Sequence, residues 1–96
     1  MAQARGRLLK IDWYPALVPG DGRVTGDIFV PRDLQATLAL LDAYEECTAD
    51  FPQPWEYRRC VIPVETADGE IQAWTYLYNR PTDGLSVIAG GDWFKI

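Results

Sequence analysis

The spacing of apolar residues predicts one amphipathic helix in the first half of the chain. Asp33 is a favourable N-cap, because its short carboxylate can accept hydrogen bonds from the first free backbone amides. The segment LQATLALLDAYEE that follows contains no Gly or Pro and predicts a helix running to about Cys47. Residues 51–54 (FPQP) cannot continue this helix, because two of the four residues are prolines.

Segments rich in β-branched and aromatic residues, some of them alternating, predict strands on both sides of this helix. RGRLLKIDWY (residues 5–14) has strand composition, and RVTGDIFV (residues 23–30) alternates along its length. The segment between them, YPALVPGDG (residues 14–22), predicts a turn-rich loop. Residues 57–65 and 70–79 predict a hairpin, because the Asp-Gly between them favours a type I′ turn.

The second strand of this hairpin is largely apolar on both faces, which suits a curled or closed sheet better than a flat one. The chain has 96 residues, which corresponds to one domain with a small core. The sequence therefore predicts an α+β fold: a small, mostly antiparallel curled sheet or barrel with one principal helix.

Charge and hydropathy argue against several classes of partner. Nine basic and fourteen acidic residues give a net charge of −5, and the basic side chains are scattered. This disfavours binding to nucleic acid or to an anionic membrane surface. The sequence contains no apolar run long enough to span a bilayer and no signal-peptide pattern at its start, so we expect a cytoplasmic protein.

The chain contains no His, and its only cysteines are Cys47 and Cys60. A zinc site would therefore lack ligands, and catalysis that uses imidazole, including the Ser-His-Asp triad, is excluded. The segment Gly90-Gly91-Asp92 lacks the strand-before, helix-after context of a phosphate loop and predicts a turn. Acid–base chemistry falls to carboxylates, tyrosines or lysines.

Helical phase distinguishes the two adjacent glutamates at the end of the predicted helix. At about 100° per residue, Glu45 lies within about 60° of the stripe formed by Leu34, Leu38 and Leu41, whereas Glu46 is turned toward solvent. Desolvation on a buried face raises the pKa of a carboxyl toward the range useful for proton transfer, so Glu45 is a candidate general base. The alternative is that Glu45 lies at a wet helix end, or pairs with Arg58 or Arg59.

Two further groups of residues on the predicted hairpin invite a functional interpretation. Arg58 and Arg59 point to opposite faces of a strand, so at most one can reach a substrate carboxylate, and a solvated strand arginine is the alternative. Trp74, Tyr76 and Tyr78 predict core and barrel wall rather than a stacking platform, because no basic groove accompanies them.

Several of these segments together resemble a known family. LDAYEEC (residues 41–47), its spacing to YRR (residues 57–59), DGEIQAWTYLYNRP (residues 68–81) and the closing IAGGDW (residues 88–93) resemble the gamma-glutamylcyclotransferase-like superfamily. The similarity is to its AIG2-like branch, which also resembles gamma-glutamylamine cyclotransferase. WYPALVPGDGRVTGDIFV (residues 13–30) is similar to the segment that precedes the helix in that branch.

The resemblance implies a reaction and one catalytic residue. The glutamate of the family's LDxYE motif is the catalytic acid/base, and it corresponds to Glu45. The implied substrate is a small γ-glutamyl amine or γ-glutamyl amino acid. Its α-amine attacks the γ-carbonyl, and 5-oxoproline and the amine or amino acid leave. Tyr57 would supply a hydroxyl to the substrate pocket, and the resemblance implies no metal or cofactor.

The chain departs from the family pattern at its start. Family members begin with a strand that ends in Tyr-Gly-Thr/Ser-Leu, whose loop cradles the γ-glutamyl carboxylate and the developing oxyanion. This sequence has no such motif, so we expect residues 1–96 to be a single domain that is truncated at its N terminus and lacks the first strand. An unpaired strand edge favours strand addition, which predicts a homo-oligomer. The alternative to an enzyme is a catalytically inactive small-molecule-binding or assembly module on the same fold.

Overall fold

The computed structural model describes residues 2–11 and 14–93. Residues 12 and 13, which belong to the predicted first strand and to the family-like segment, lie outside the described residues. Along the described chain the elements are β1 (Ala2–Lys10), β2 (Pro15–Gly26), α1 (Leu34–Tyr44), β3 (Tyr57–Thr66), β4 (Gly69–Tyr78), β5 (Ser86–Val87) and a 3-10 turn (Ala89–Gly91).

The strands form one antiparallel sheet in the order β2-β1-β3-β4, and β5 pairs with β1. The sheet curls so that its two outer strands, β2 and β4, approach each other, but these strands do not pair in the described part of the chain. The result is an open barrel with α1 beside it, which confirms the predicted α+β fold class.

Helix α1 begins as the sequence predicts and ends earlier. The Asp33 side chain accepts a hydrogen bond from the Ala36 amide at 3.0 Å, as expected of an N-cap. At the other end Glu46 has a φ of 56°, and the Cys47 amide donates to the Asp42 carbonyl at 3.0 Å. This is a Schellman-type termination, and it explains why the helix stops at Tyr44 and does not reach Cys47.

Strand β2 corrects the sequence-based prediction. Residues 15–22 of the predicted loop are part of this strand. Of the predicted strand at residues 23–30, residues 23–26 are confirmed, and residues 27–30 are an exposed segment without regular structure. In the β1–β2 register Arg5 pairs with Arg23 and Arg7 pairs with Val18, so the PGDG sequence at residues 19–22 lies opposite Gly6 alone. The turn-forming residues therefore make a four-residue bulge inside a strand, where the sequence indicated a loop.

The β3–β4 hairpin is confirmed, but its turn differs from the predicted type. Thr66 pairs with Gly69, so the central residues are Ala67 and Asp68, and only Gly69 has a positive φ, of 115°. The Thr66 hydroxyl accepts from the Asp68 amide at 3.1 Å and donates to the Gly69 carbonyl at 2.8 Å. These side-chain hydrogen bonds stabilise the turn without the two positive φ angles of type I′.

The core lies between the sheet strands and contains Leu9, Ala16 and Tyr57, with Tyr76 and Tyr78 packed against it. Of the leucine stripe on α1, only Leu38 is buried, whereas Leu34 and Leu41 are 45% and 41% exposed. The described ranges contain no helix that is long and apolar enough to cross a membrane.

Candidate functional site

Glu45 is the C-cap residue of α1, and its side chain is partly buried, whereas Glu46 is exposed. Burial raises the pKa of the Glu45 carboxyl above its ordinary value, and the negative charge of Glu56 raises it further. Neither arginine of the YRR segment forms an ion pair with Glu45 in the described structure. Arg59 pairs with Asp42, and Arg58 donates a hydrogen bond to the Cys60 sulfur at 2.8 Å.

Glu56, the residue before β3, is a second carboxylate close enough to Glu45 for its charge to act on that group. The Tyr14 hydroxyl donates to Glu56 Oε2 at 2.9 Å, and the Glu56 carbonyl accepts from the Asn79 amide at 2.6 Å. Hydrogen bonds therefore hold both the side-chain carboxylate and the backbone of Glu56 in place. Sequence reasoning missed Glu56 and Tyr14, although Glu56 directly precedes the YRR segment.

Tyr57, the other candidate site residue from the sequence, is 8% exposed and belongs to the core. Its hydroxyl donates to the Pro15 carbonyl at 3.0 Å, and its ring contacts Tyr78 edge-on at a centroid distance of 5.7 Å. Burial, together with the charges of Glu56 and Glu45, raises the pKa of the Tyr57 phenol. The phenol therefore stays protonated at neutral pH, and its oxygen retains acceptor capacity.

A polar cluster joins α1 to the hairpin one helical turn before Glu45. Asp42 Oδ1 accepts from the Tyr76 hydroxyl at 2.6 Å and lies 3.1 Å from Arg59 Nε. The Arg59 guanidinium stacks 4.6 Å from the centroid of the Trp74 ring. We call these four residues the Asp42 cluster. Arg59, and not Arg58, is the arginine that turns inward.

A cavity with a volume of about 640 Å³ lies elsewhere in the described structure. It lies between one face of α1 and residues of β1, β2, β3 and β4, and neither Glu45 nor Tyr57 lines it. Its walls are mainly apolar, with Leu17, Val24, Leu38, Leu41, Ile62 and Trp74 among them. The few polar side chains on its walls, Gln3, Asp27, Thr37, Gln72 and Thr75, include no cation to pair with the carboxylate of a zwitterionic group. The carboxylates at the end of α1 therefore remain the better candidate site.

Carboxylates such as Glu45 and Glu56 can also serve as metal ligands. Within the described ranges no three His, Cys, Asp or Glu residues come together in a group that could hold a metal ion. The chemistry that the site itself offers is proton transfer by Glu45 and hydrogen bonding by Tyr14, Tyr57 and Glu56.

An open antiparallel barrel with one capped helix and a carboxylate at the helix end is the arrangement expected of a gamma-glutamylcyclotransferase-like protein. A sequence model of the family "Gamma-glutamyl cyclotransferase, AIG2-like" matches residues 1–95. The chain therefore belongs to this family, and the resemblance seen in its sequence is confirmed.

Relatives in enterobacteria support the same assignment. The chain is 41% identical over 87 residues to the gamma-glutamylcyclotransferase family protein YtfP of Escherichia coli (strain K12), covering 91% of this chain and 66% of that protein. The corresponding protein of Citrobacter rodentium is 39% identical over the same length. The solution NMR structure of protein ytfP from Escherichia coli superposes with a TM-score of 0.63 at 40% identity, covering 98% of this chain and 79% of that one. The chain thus spans 66% of the length of these curated relatives.

Proposed function

We propose that residues 1–96 form a domain that cyclises a γ-glutamyl amine or γ-glutamyl amino acid to 5-oxoproline, with Glu45 as general acid/base. The observation that carries the proposal is the state of Glu45, a partly buried carboxylate with a raised pKa and no ion pair to Arg58 or Arg59. Family membership supports the substrate class.

In the proposed reaction Glu45 accepts a proton from the substrate α-ammonium, and the freed amine attacks the γ-carbonyl carbon. The new carbon–nitrogen bond closes the five-membered ring. The original γ-amide bond then breaks as Glu45 returns the proton to the leaving nitrogen, and the ring nitrogen loses its second proton to solvent. Because nucleophile and electrophile belong to one molecule, holding them in attack geometry contributes several kcal/mol, on the order of 7 or more in favourable cases.

The neighbours of Glu45 suit a cationic reactant. Glu56, fixed by Tyr14, provides a second negative charge near the place where an α-ammonium would meet Glu45. The Tyr57 oxygen can accept a hydrogen bond from the same amine, since its own proton is donated to Pro15. In this proposal Glu45 moves the proton, and Glu56 and Tyr57 orient the substrate.

The proposal is tested by assaying 5-oxoproline release from γ-glutamyl amines and γ-glutamyl dipeptides, with Glu45→Gln as the diagnostic variant. The unsubstituted chain should release 5-oxoproline, and the variant should lose that activity. Activity that survives the substitution would contradict the assignment of Glu45.

The pH dependence of the reaction should respond to Glu56. The base form of Glu45 is required, so kcat/KM should rise as pH rises through the pKa of Glu45, which lies above the ordinary value of 4.5. Glu56→Gln removes the charge that raises this pKa and keeps an acceptor for Tyr14, so the rising limb should move to lower pH. A pH–rate profile checks this, together with a ¹³C NMR titration of the Glu45 carboxyl.

Glu65→Gln is the matched control for that experiment, because it also removes one negative charge. Glu65 pairs with Arg23 at 3.0 Å on an exposed part of the sheet, with side chains that are 61% and 60% exposed. The control should leave the profile unchanged. Equal shifts in the two variants would mean that general charge, and not the neighbouring carboxylate, sets the pKa of Glu45.

The second candidate is a catalytically inactive binding or assembly module, and the apolar surface around the large cavity favours it. Phe29 and Val30 are 78% and 83% exposed, and they line the cavity together with exposed Trp74 and Ile71. Exposed apolar patches of this kind mark interaction sites.

We propose that a second copy of the chain covers this surface, because one face carries both the projecting Phe29–Val30 side chains and the apolar opening that could receive them. A two-fold interface requires the same patch to supply both the projecting groups and the site that receives them. Light scattering across a range of concentrations should give a dimer or larger assembly, and Phe29→Ser should shift it toward monomer. A monomer at every concentration, or a variant with unchanged mass, would contradict the proposal.

A further inference from the structure

One carboxylate, Asp42, connects the last turn of α1 to the β3–β4 hairpin. Its Oδ1 accepts from the Tyr76 hydroxyl at 2.6 Å and lies 3.1 Å from Arg59 Nε. The Asp42 side chain is 18% exposed and the Arg59 side chain is 31% exposed, so water competes only partly for these contacts. Short hydrogen bonds to an ionised acceptor are among the stronger ones in proteins.

The hairpin partners of Asp42 are themselves fixed. Tyr76 packs against the Leu9–Ala16–Tyr57 core, and the Arg59 guanidinium lies over the ring of Trp74. Because the core that holds Tyr76 also contains Tyr57, Asp42 connects the helix end to the same part of the molecule that carries the proposed substrate hydroxyl.

Apolar packing contributes little to holding this turn of the helix. Leu41 is 41% exposed and Tyr44 is 76% exposed. The backbone of Asp42 closes the Schellman turn that contains Glu45, since its carbonyl accepts from the Cys47 amide at 3.0 Å. Asp42 thus uses its main chain to close the turn and its side chain to attach the turn to the sheet.

We propose that Asp42 is a positioning residue for Glu45: held by Tyr76 and Arg59, it fixes the last helical turn so that the Glu45 carboxylate stays beside Glu56 and Tyr57. The role of Glu45 in this inference rests on the proposed function. Arg59 balances the charge of Asp42, and burial together with the hydrogen bond to Asp42 raises the pKa of Tyr76. The tyrosine therefore remains a donor throughout the neutral range.

The test compares Tyr76→Phe with Tyr44→Phe. Tyr76→Phe removes the hydroxyl that binds Asp42 and keeps the ring. Tyr44→Phe removes the hydroxyl of an exposed tyrosine on α1, the helix that carries Asp42. Tyr76→Phe should lower kcat for 5-oxoproline release about tenfold with little change in KM, since a small displacement of a catalytic group can lower a rate up to about 100-fold. Tyr44→Phe should match the unsubstituted chain.

A second readout does not depend on catalysis. The ¹³C titration of the Glu45 carboxyl should move toward the ordinary value in Tyr76→Phe and should stay unchanged in Tyr44→Phe. Asp42→Glu is the second variant, used if Tyr76→Phe loses its circular dichroism spectrum. It keeps the charge of Asp42 and displaces the carboxylate from Tyr76 and Arg59, and it should shift the titration in the same direction.

The outcomes separate this inference from the proposed function. If the unsubstituted chain releases no 5-oxoproline, the proposed function fails and the titration alone decides the positioning role. A shifted Glu45 titration in Tyr76→Phe or Asp42→Glu supports that role in either case. A titration that is the same in these variants and in Tyr44→Phe overturns it.

Discussion

Glu45→Gln is expected to lower kcat for 5-oxoproline release by about 10²- to 10⁴-fold, the contribution typical of a positioned acid/base. Glutamine has nearly the same shape as glutamate and cannot accept the proton of an α-ammonium at neutral pH. The C-cap of α1 is formed by backbone groups, including the hydrogen bond from the Glu45 amide to the Leu41 carbonyl at 2.8 Å, so the substitution leaves the helix end intact.

Glu46→Gln provides the matched control, because Glu46 is the adjacent glutamate and is exposed. Its rate should stay within about twofold of the unsubstituted chain, since exposed substitutions away from a site have small effects. Both variants are assayed by chromatographic detection of 5-oxoproline with a series of γ-glutamyl amines and dipeptides. Equal losses in the two variants would remove the basis for assigning the role to Glu45. Inactivity of all three chains would favour the binding or assembly module.

Stability measurements show whether lost activity reflects unfolding. The pKa of Glu45 is higher in the folded chain than its ordinary value of 4.5. Its contribution to stability is therefore fully present below about 4.5 and is lost as pH rises through the folded-state pKa. At pH 7 the ionised carboxylate opposes folding slightly, so Glu45→Gln should unfold at the same denaturant concentration or a slightly higher one. A lower denaturant midpoint in Glu45→Gln would mean that the variant loses activity because its fold is less stable.

Features set by neighbouring residues could be predicted from the sequence. Asp33 as N-cap, the helix after it and the β3–β4 hairpin depend on local chemistry, and the structure has all three. Strand β2 could not be predicted in this way, because its PGDG segment is accommodated by pairing with a distant strand at Gly6. Turn-forming residues indicate a change of direction, and only the partner strand determines whether that change ends the strand or bulges within it.

The same distinction applies to the candidate site. The helical phase of Glu45 is a local property, and the sequence predicted that it, and not Glu46, would turn inward. Tyr14 and Glu56 are 42 residues apart, and Asp42 and Tyr76 are 34 residues apart. These contacts depend on how the sheet curls, which the apolar character of both hairpin faces indicates only in general terms. The contacts proposed to orient Glu45 can therefore be identified only from the folded structure.

Gly91→Ala is expected to destabilise the fold by about 3 kcal/mol, through steric overlap and backbone strain together. Gly91 is buried at the end of the 3-10 turn and has a φ of 65°. A methyl group at its Cα would overlap the carbonyl oxygen of Arg23 on β2, and main-chain atoms of a sheet strand cannot easily move away. The closing segment therefore packs directly on β2, and a glycine is required at the point of closest approach.

Gly90→Ala separates the two causes, because Gly90 has a similar φ of 84° and open space around its Cα. Only the left-handed backbone conformation opposes alanine there, which costs about 1 kcal/mol. Urea unfolding of both variants at pH 7 measures the difference, about 2 kcal/mol if overlap with Arg23 adds to the backbone strain. Equal losses would mean that backbone conformation alone requires these glycines. A larger loss of stability in Gly91→Ala than in Gly90→Ala would show that the close contact with Arg23 of β2 requires a glycine at residue 91.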